Sequence, residues 1–212
     1  KVAMGLGLGE YTGVELYESR GMRANPETKA KLFAGTDSAG WYAADQIMAS
    51  IGQSFHRYTS MQLASYAMGL GNQGLRYKAT FLDRVLSSDY HTLEFENKVQ
   101  VLSSMEISTG AYRTYLEGMV RVTSLSGGTA YSIFKNYPIS VAGKTGTAEG
   151  ITGASDNSSF ICFAPAKDPR IAIAVYGEQT GGGKMAEVAK AIMDVYFGFS
   201  TGDTDSNENQ IG

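Results

Sequence analysis

The sequence predicts an α+β fold in which helices precede a small antiparallel sheet and one last helix closes the chain. Apolar residues recur at helical intervals in two long stretches before the last third, which instead holds three short apolar runs separated by polar turns. With 212 residues, of which 43% are apolar and 18% charged, the chain has the composition of a globular protein with one sizeable core. Neither a repeat nor a linker divides it into two domains.

The charge and cysteine content argue against several classes of protein. The net charge is −3, and Asp203, Asp205 and Glu208 near the C-terminus account for all of it. The sequence has neither a basic stripe nor a basic amphipathic helix, so nucleic acids and membrane surfaces are not expected partners. A single cysteine, Cys162, excludes an internal disulfide, and no apolar run reaches the length of a membrane helix.

The first half of the chain is predicted to be mostly loop and helix. Turn signals in residues 1–45 predict loops and short helices. A long helix is predicted over about 59–71, because Thr59 and Gln62 have capping-box spacing. Its helical periodicity is carried by Met61, Ala64, Ser65 and Met68. Residues 76–89 resemble a strand that exits into a turn.

The second half changes from helical to strand periodicity. A second helix is predicted to begin near Ser108 or Thr109 and to end at Gly127–Gly128. Its apolar stripe consists of Tyr112, Tyr115, Leu116, Met119 and Val122. After a short helical turn at 129–134, the strand candidates are ISVAGKTGTAE, SSFICFAPA and RIAIAVYGEQ, whose short connections suit antiparallel neighbours. An amphipathic helix then begins at Lys184, and an acidic tail follows it.

The run SVAGKTGTAEG, residues 140–150, places lysine, threonine and glycine at the end of an apolar strand. A phosphate-binding loop of the form G-x-x-x-x-G-K-[ST] is excluded, because its first glycine would fall at Pro138, which has no N–H to donate. A G-x-G-x-x-G pattern at 69–74 follows a helix instead of a strand. It is therefore interpreted as a helix C-cap, not as a dinucleotide site.

The residues Lys144, Thr145, Gly146 and Thr147 fit acyl transfer at a strand edge. Such a reaction needs a cation that binds a carboxylate and tunes a nearby serine, and a backbone N–H directed at the oxyanion. The lysine supplies the cation, the threonine hydroxyls can bind a terminal carboxylate, and the amide of Thr147 can point into the site. Gly146 lets another backbone lie against the strand. K-T-G is an established part of the signature of β-lactamases and penicillin-binding proteins; a surface strand ending in a polar turn is the alternative interpretation.

Four segments that occur in one order carry a resemblance to class B penicillin-binding proteins. They are IGQSFHRYTSMQLASYAMGLGNQG, GGTAYSIFKNYPISVAGKTGTAE, FICFAPAKDPRIAIAV and KMAEVAKAIMDVY. Together they closely resemble the C-terminal half of the transpeptidase domain, most like that of the elongation-type penicillin-binding protein 2. The segment GLGEYTGVEL is also similar to the one that follows the family's S-x-N motif. The resemblance covers about residues 5–198.

The resemblance implies a fold, a reaction and a set of partners. The fold is that of serine β-lactamases and transpeptidases, with residues 1–198 as the C-terminal portion of the domain and 199–212 as an acidic flexible tail. The reaction is peptidoglycan D,D-transpeptidation through an acyl-enzyme, which β-lactams also form, and no organic cofactor is implied. The expected partners are stem peptides, β-lactams and the cell-wall elongation machinery. The expected location is the extracytoplasmic face of the bacterial membrane, reached through an N-terminal anchor outside this chain.

The same resemblance assigns roles to the four residues of the strand. Lys144 would hold the serine of the S-x-N motif and maintain a local positive potential. Thr145 and Thr147 would bind the carboxylate of the donor or drug. Gly146 would permit close approach, and the Thr147 amide would form half of the oxyanion hole.

Two other motifs imitate the rest of the catalytic set. Ser132-Ile133-Phe134-Lys135 matches S-x-x-K, and Ser155-Asp156-Asn157 matches S-D-N. In the family both motifs precede K-T-G, the first of them far upstream, so we interpret these copies as a short packing helix and a turn. The nucleophile, its lysine and the S-x-N motif are therefore expected in an N-terminal part absent from this chain, and the chain alone is expected to be inactive.

Other reactive residues receive structural interpretations, and two other functions stay open. His56 and His91 are far apart and, with one cysteine, give no zinc spacing, while Cys162 is expected to be a buried small apolar residue. A serine β-lactamase is one alternative, recognised by rapid turnover of a chromogenic β-lactam. A non-catalytic β-lactam sensor or scaffold domain is the other, and it would release no D-Ala from a peptide donor.

Overall fold

A three-stranded antiparallel sheet lies between two layers of helices in the computed structural model, which describes residues 1–148, 155–180 and 182–199. The helices are α1 (Val2–Gly5), α2 (Pro26–Leu32), α3 (Ala43–Ser50), α4 (Ser60–Gly71), α5 (Thr109–Ser124), α6 (Tyr131–Phe134) and α7 (Lys184–Phe197), with a 3₁₀ turn at Asp37–Ala39. The strands are β1 (Leu75–Tyr77), β2 (Arg84–Leu86), β3 (Leu93–Glu96), β4 (Val101–Ser104), β5 (Ala142–Ala148), β6 (Asn157–Ala164) and β7 (Ile171–Gly177). The predicted antiparallel sheet flanked by helices is confirmed. Residues 200–212, almost all of the predicted tail, lie outside the described residues.

The central strand β6 contributes to a hydrophobic core on each face of the sheet. Phe160, Cys162 and Ala164 pack with α6 and α7, whereas Phe163 packs with α4 and α5. All four side chains are 0% exposed. Successive strand residues point to opposite faces, so one apolar strand joins both helical layers. The prediction that Cys162 is a buried small apolar residue is confirmed, and burial raises the pKa of its thiol to about 12.

Helix α4 begins with the predicted capping box. The Thr59 hydroxyl accepts a hydrogen bond from the Gln62 N–H, and the Gln62 side-chain oxygen accepts one from the Thr59 N–H, both at 3.1 Å. The helix ends at Gly71, which confirms that the glycine-rich run closes it. The predicted stripe of Met61, Ala64, Ser65 and Met68 is buried only at Ser65; the other three residues are half-buried.

The most buried face of α4 is instead partly polar. Gln62 is 0% exposed, and its side-chain amide donates to the carbonyls of Glu10 and Arg20, each at 2.9 Å. These bonds satisfy the buried amide and fix the loop of residues 10–20 on the helix. Because the partners are more than forty residues away, helical periodicity gave no sign of this face.

Helix α5 confirms its predicted start and stripe. The Ser108 hydroxyl accepts a hydrogen bond from the Ala111 N–H at 3.3 Å, which makes Ser108 the N-cap. Tyr115 packs in the core beside Met119, and its hydroxyl donates to the Leu70 carbonyl at 2.7 Å. This bond ties α5 to the last turn of α4.

The prediction of a single strand over 76–89 is wrong, because two short strands lie there, separated by a loop. This part of the chain begins with β1 and ends beyond β2, and the two pair with different later strands: β1 with β4, and β2 with β3. The β2–β3 ribbon is exposed at every residue. Pairing in these ribbons depends on partners up to 29 residues away, such as Leu75 with Ser104.

Two glutamates hold the loop that follows α1. Glu18 accepts hydrogen bonds from the backbone N–H groups of Thr12 and Gly13, both at 2.9 Å. Glu15 accepts one from the Thr80 hydroxyl and one from the Phe81 N–H, the latter at 2.9 Å. Glu18 thus closes the loop on itself, and Glu15 attaches it to the segment that joins β1 and β2.

Stability at acid pH is expected to depend on Glu15. The hydrogen bond from Thr80, with that from the Phe81 N–H, lowers the pKa of Glu15 to about 2 from the ordinary 4.5. Since the pKa is lower in the folded state, the stabilisation is present above pH 4.5 and is lost as the pH falls toward 2. Denaturant midpoints should therefore fall more steeply in the wild type than in Glu15→Gln across this range. Glu94→Gln, on an exposed residue of β3, should keep the wild-type slope; equal slopes in wild type and Glu15→Gln would contradict the prediction.

Candidate acyl-transfer site

The strand β5 carries the predicted site residues and lies at an edge of the sheet. The order of the sheet is β5-β6-β7, so in the described part of the chain β5 pairs on one side only. Its register places Lys144 opposite Ile161 and Gly146 opposite Ser159. An antiparallel edge strand leaves every second N–H and C=O without a ladder partner, and an extended peptide can pair with them.

Lys144 lies at the rim of an apolar groove of about 510 Å³ between the sheet and the helices α4 and α5. Besides Lys144, the lining contains one acidic residue, Glu106, together with Ser108 and the apolar residues Val2, Leu6, Tyr66, Leu70, Met105, Ile107, Ala111, Tyr115, Met119 and Ile161. The lysine is exposed, and its ammonium group donates a hydrogen bond to the Thr145 carbonyl. A cation beside an apolar wall attracts an anionic group more strongly than one surrounded by water. The arrangement therefore suits a ligand with an extended backbone and a carboxylate.

A side chain at Gly146 would meet a serine of the neighbouring strand. A Cβ atom at this position would lie 2.3 Å from the Ser159 Oγ, far inside the contact distance of real Cβ atoms. The reason predicted from the motif is a different one, the close approach of another backbone. The two reasons are compatible, since Ser159 lies on the β6 side and the outer edge of β5 has no strand partner among the described residues.

Hydrogen bonds from outside the sheet hold β5 at two places, at the residue before its start and at its middle. The buried Thr123 hydroxyl, near the end of α5, donates to the Val141 carbonyl at 2.6 Å. Farther along the strand, the hydroxyl oxygens of Thr145 and Thr129 lie 2.8 Å apart. Neither Thr123 nor Thr129 was singled out from the sequence. The only sequence signal for Thr129 was its place in the GGTA run of the family-like segment.

The two imitation motifs lie away from this groove. Ser132 is exposed on α6, a helix that packs through Phe134 into the core on the α7 side, whereas Lys144 lines the groove on the α4 and α5 side. Ser155 precedes β6, and the Asn157 side chain accepts a hydrogen bond from the Gln179 N–H at 3.0 Å. The structure thus brings neither serine together with Lys144.

The two histidines lie apart from the site. His56 Nδ1 accepts a hydrogen bond from the Ala24 N–H at 3.1 Å, and its Nε2 lies 3.2 Å from the Ala49 carbonyl oxygen, which it can reach as a donor. These contacts make it a structural bridge between the loop before α2 and helix α3. Within the described residues, no group of three His, Cys, Asp or Glu side chains could hold a metal ion.

The geometry of the strand edge and the groove defines a class of protein. An open strand edge that carries lysine, threonine, glycine and threonine, beside an apolar groove, is suited to acyl transfer from a peptide with a free carboxylate. A family model described as "Penicillin binding protein transpeptidase domain" matches residues 1–194. The chain belongs to this family.

Relatives and solved structures agree with the family. "Peptidoglycan D,D-transpeptidase MrdA" of Acinetobacter baumannii is 30% identical over 209 residues, an alignment that covers 90% of this chain and 30% of the relative. Penicillin-binding protein 2B of Streptococcus pneumoniae has a TM-score of 0.77 at 24% identity, over 95% of this chain and 32% of that one. Penicillin-binding protein 2 of Helicobacter pylori, solved in complex with MreC, has a TM-score of 0.72 at 22% identity, over 93% of this chain and 35% of that one.

These comparisons confirm two predictions from the sequence. The fold is that of the penicillin-binding transpeptidase domain, and the resemblance to class B proteins of the penicillin-binding protein 2 type is borne out. The chain spans only about 30% of the length of the relative that it matches.

Proposed function

We propose that the protein to which this chain belongs is a serine-type peptidoglycan D,D-transpeptidase that β-lactams acylate. The observation that carries the proposal is the position of Lys144, Thr145, Gly146 and Thr147 on an open strand edge beside an apolar groove. Membership of the penicillin-binding transpeptidase family supports it, as does the name of the Acinetobacter relative. This chain supplies the half of the site that contains the K-T-G strand.

In the proposed reaction a serine oxygen attacks the carbonyl carbon of the penultimate D-Ala of a stem peptide. The C–N bond to the terminal D-Ala breaks, and that residue leaves with the proton that the serine has lost. The amine of a neighbouring stem then attacks the ester, forms the cross-link and returns a proton to the serine oxygen. A β-lactam enters the first step, but its ring opens without releasing a small leaving group, so the acyl-enzyme persists.

Each residue of the strand has a role in this proposal. Thr145 and Thr147 donate hydroxyl hydrogen bonds to the terminal carboxylate, and the positive charge of Lys144 attracts it. Lys144 also holds the S-x-N serine. Gly146 leaves space for the donor backbone along β5, and the Thr147 amide donates one of the two hydrogen bonds to the oxyanion.

We propose further that the nucleophilic serine, its lysine and the S-x-N motif lie in a preceding part of the same protein. In this division residues 1–198 form the C-terminal portion of the domain and 199–212 the tail. The outer edge of β7 supports this, because a seven-residue strand of sequence IAIAVYG pairs only with β6 in the described part of the chain. Long apolar edges are normally covered, and another strand of the same domain would cover this one.

We place the reaction at the extracytoplasmic face of the bacterial membrane, with the anchor in the preceding part. The cell-wall elongation machinery is the proposed partner, supported by the MreC complex of the Helicobacter pylori protein. In the residues that the structure covers, every helix is too short or too polar to cross a bilayer.

The test is intact mass after incubation with a penicillin, on this chain alone and on the protein with its preceding part. An adduct with the mass of the drug should form only on the longer protein and map to a serine outside this chain. An adduct on the isolated chain at Ser132 or Ser155 would contradict the division of the site. An absence of adduct on both would favour a scaffold domain.

Two further measurements separate the alternative functions. A transpeptidase should keep the adduct for longer than the assay and should release D-Ala from a peptide donor. Rapid turnover of a chromogenic β-lactam would instead indicate a β-lactamase. A stable adduct without release of D-Ala would indicate a sensor.

A further inference from the structure

Thr129 touches the proposed carboxylate site from outside the strand that carries it. Its Oγ1 lies 2.8 Å from that of Thr145, a hydrogen bond between residues 16 apart in the sequence. Thr129 belongs to the connection between α5 and α6, whereas Thr145 is part of β5. The Thr145 side chain is half-buried and that of Thr129 is exposed, so the pair lies where a ligand on the strand edge would reach it.

The backbone around Thr129 leaves it little freedom. Gly127 has a φ of +91°, and a Cβ at Gly128 would lie 2.5 Å from the carbonyl oxygens of Arg121 and Val122. Only glycine fits these two positions without strain. On the other side, the N–H of Ala130, which is 0% exposed, donates to the Val122 carbonyl at 3.0 Å.

The last turns of α5 also fix the strand that carries Thr145. Thr123 donates to the Val141 carbonyl at 2.6 Å, one residue after Val122 receives the bond from Ala130. The same end of one helix therefore holds both the loop of Thr129 and the start of β5. Two threonines on independent loops would pair weakly, but these two are both positioned by the last turns of α5.

A hydroxyl group has one proton to donate and two lone pairs. When Thr129 donates to Thr145, the Thr145 proton is free to point outward, and the chain of hydrogen bonds polarises it. An ionised carboxylate only accepts, so it needs donors that already point toward it. We infer that Thr129 is a positioning residue that orients the Thr145 hydroxyl and so sets the preference of the site for ligands with a free carboxylate. This inference rests on the proposed function.

The experiment compares a penicillin with its methyl ester, which lacks the charged carboxylate. Second-order acylation rate constants are measured on the complete protein for wild type, Thr129→Val and Thr129→Ser. Thr129→Val should lower the ratio of the acid rate constant to the ester rate constant by about fivefold, which is the effect expected from the loss of one hydrogen bond. Thr129→Ser should restore the ratio, and Thr114→Val, on an exposed threonine of α5, should leave it unchanged. In a Thr145→Val background, Thr129→Val should have no further effect on the ratio.

The outcomes separate the inference from the proposed function. Equal losses on acid and ester in Thr129→Val would overturn the inference while acylation stands, because a structural role slows both. If the wild type is not acylated, the proposed function fails, and the inference is then tested by peptide binding instead of by acylation. Calorimetric titration with N-acetyl-D-alanyl-D-alanine and its C-terminal amide must then show that Thr129→Val weakens the acid alone. The inference would be overturned if Thr129→Val weakened binding of the acid and the amide equally. It would also be overturned if the wild type bound neither peptide.

Discussion

Replacement of Lys144 by alanine is expected to slow acylation of the complete protein by a β-lactam about 10²- to 10³-fold. The expected cause is the loss of a charge that is directed at the ligand, because no other basic residue lines the groove within the described residues. The side chain is exposed, so the denaturant midpoint should stay at the wild-type value. The measurement is the second-order rate of labelling with a fluorescent penicillin.

Lys135 provides a matched control for this prediction. It is also an exposed lysine, it ends the S-x-x-K imitation at Ser132, and it lies at the C-cap of α6. Lys135→Ala should label at a rate within about twofold of wild type, since surface charges outside the site act weakly. A rate for Lys144→Ala within threefold of wild type would contradict the proposed role. An equal loss in Lys135→Ala would show that the imitation motif contributes to the reaction.

Local patterns predicted the parts of the fold whose causes are local. The capping box of Thr59 and Gln62, the N-cap at Ser108 and the alternation of β6 each depend on residues a few positions apart. These features gave the two long helices, the three-stranded sheet and the closing helix. They also gave Cys162 as a buried residue, because it lies between two apolar neighbours on a strand.

Long-range polar contacts account for most of what was missed. Arg76 is 2% exposed on β1, where its Nε donates to the Ser65 Oγ at 3.1 Å and its Nη1 to the Ser103 Oγ at 3.2 Å. A Cβ at Gly7 would lie 1.9 Å from its guanidinium carbon, so the loop after α1 closes directly over it. Arginine is rarely buried unless it is paired, and its partners here are 11 and 27 residues away. Local periodicity carries no information about such partners.

The residues of the candidate site also fall into a local group, which the sequence predicts, and a long-range contact, which it does not. Lys144, Thr145, Gly146 and Thr147 form a continuous motif, so their residue types and spacing were enough to propose a site. Thr129 touches the site only because α5 brings the connection before α6 alongside β5. The GGTA run marks the connection as family-like, but it does not indicate a contact with Thr145. Motif reasoning found the residues that share one strand, and only the fold added the residue that lies beside them.

Phe160→Ala is expected to reduce the free energy of unfolding by about 3–5 kcal/mol. Phe160 is 0% exposed on β6, and its ring stacks on Phe134 of α6 with centroids 5.9 Å apart. A Cβ at Gly143 would lie 2.5 Å from the ring, so the space around it is already full. Truncation would leave a cavity between the sheet and α6 that this close packing could fill only by moving the strand or the helix. Denaturant unfolding of wild type and variant measures the loss.

The matched control is Phe95→Ala on the β2–β3 ribbon, where the ring is 45% exposed. It should cost less than about 1 kcal/mol, because little buried area is lost. Equal costs at the two positions would contradict the packing described for β6. Phe160 also pairs in register with Thr145, so a collapse of this cavity would move the strand that carries the site. Phe160→Ala should therefore lose stability and acylation together, whereas Lys144→Ala should lose acylation alone, and this contrast separates support of the site from chemistry within it.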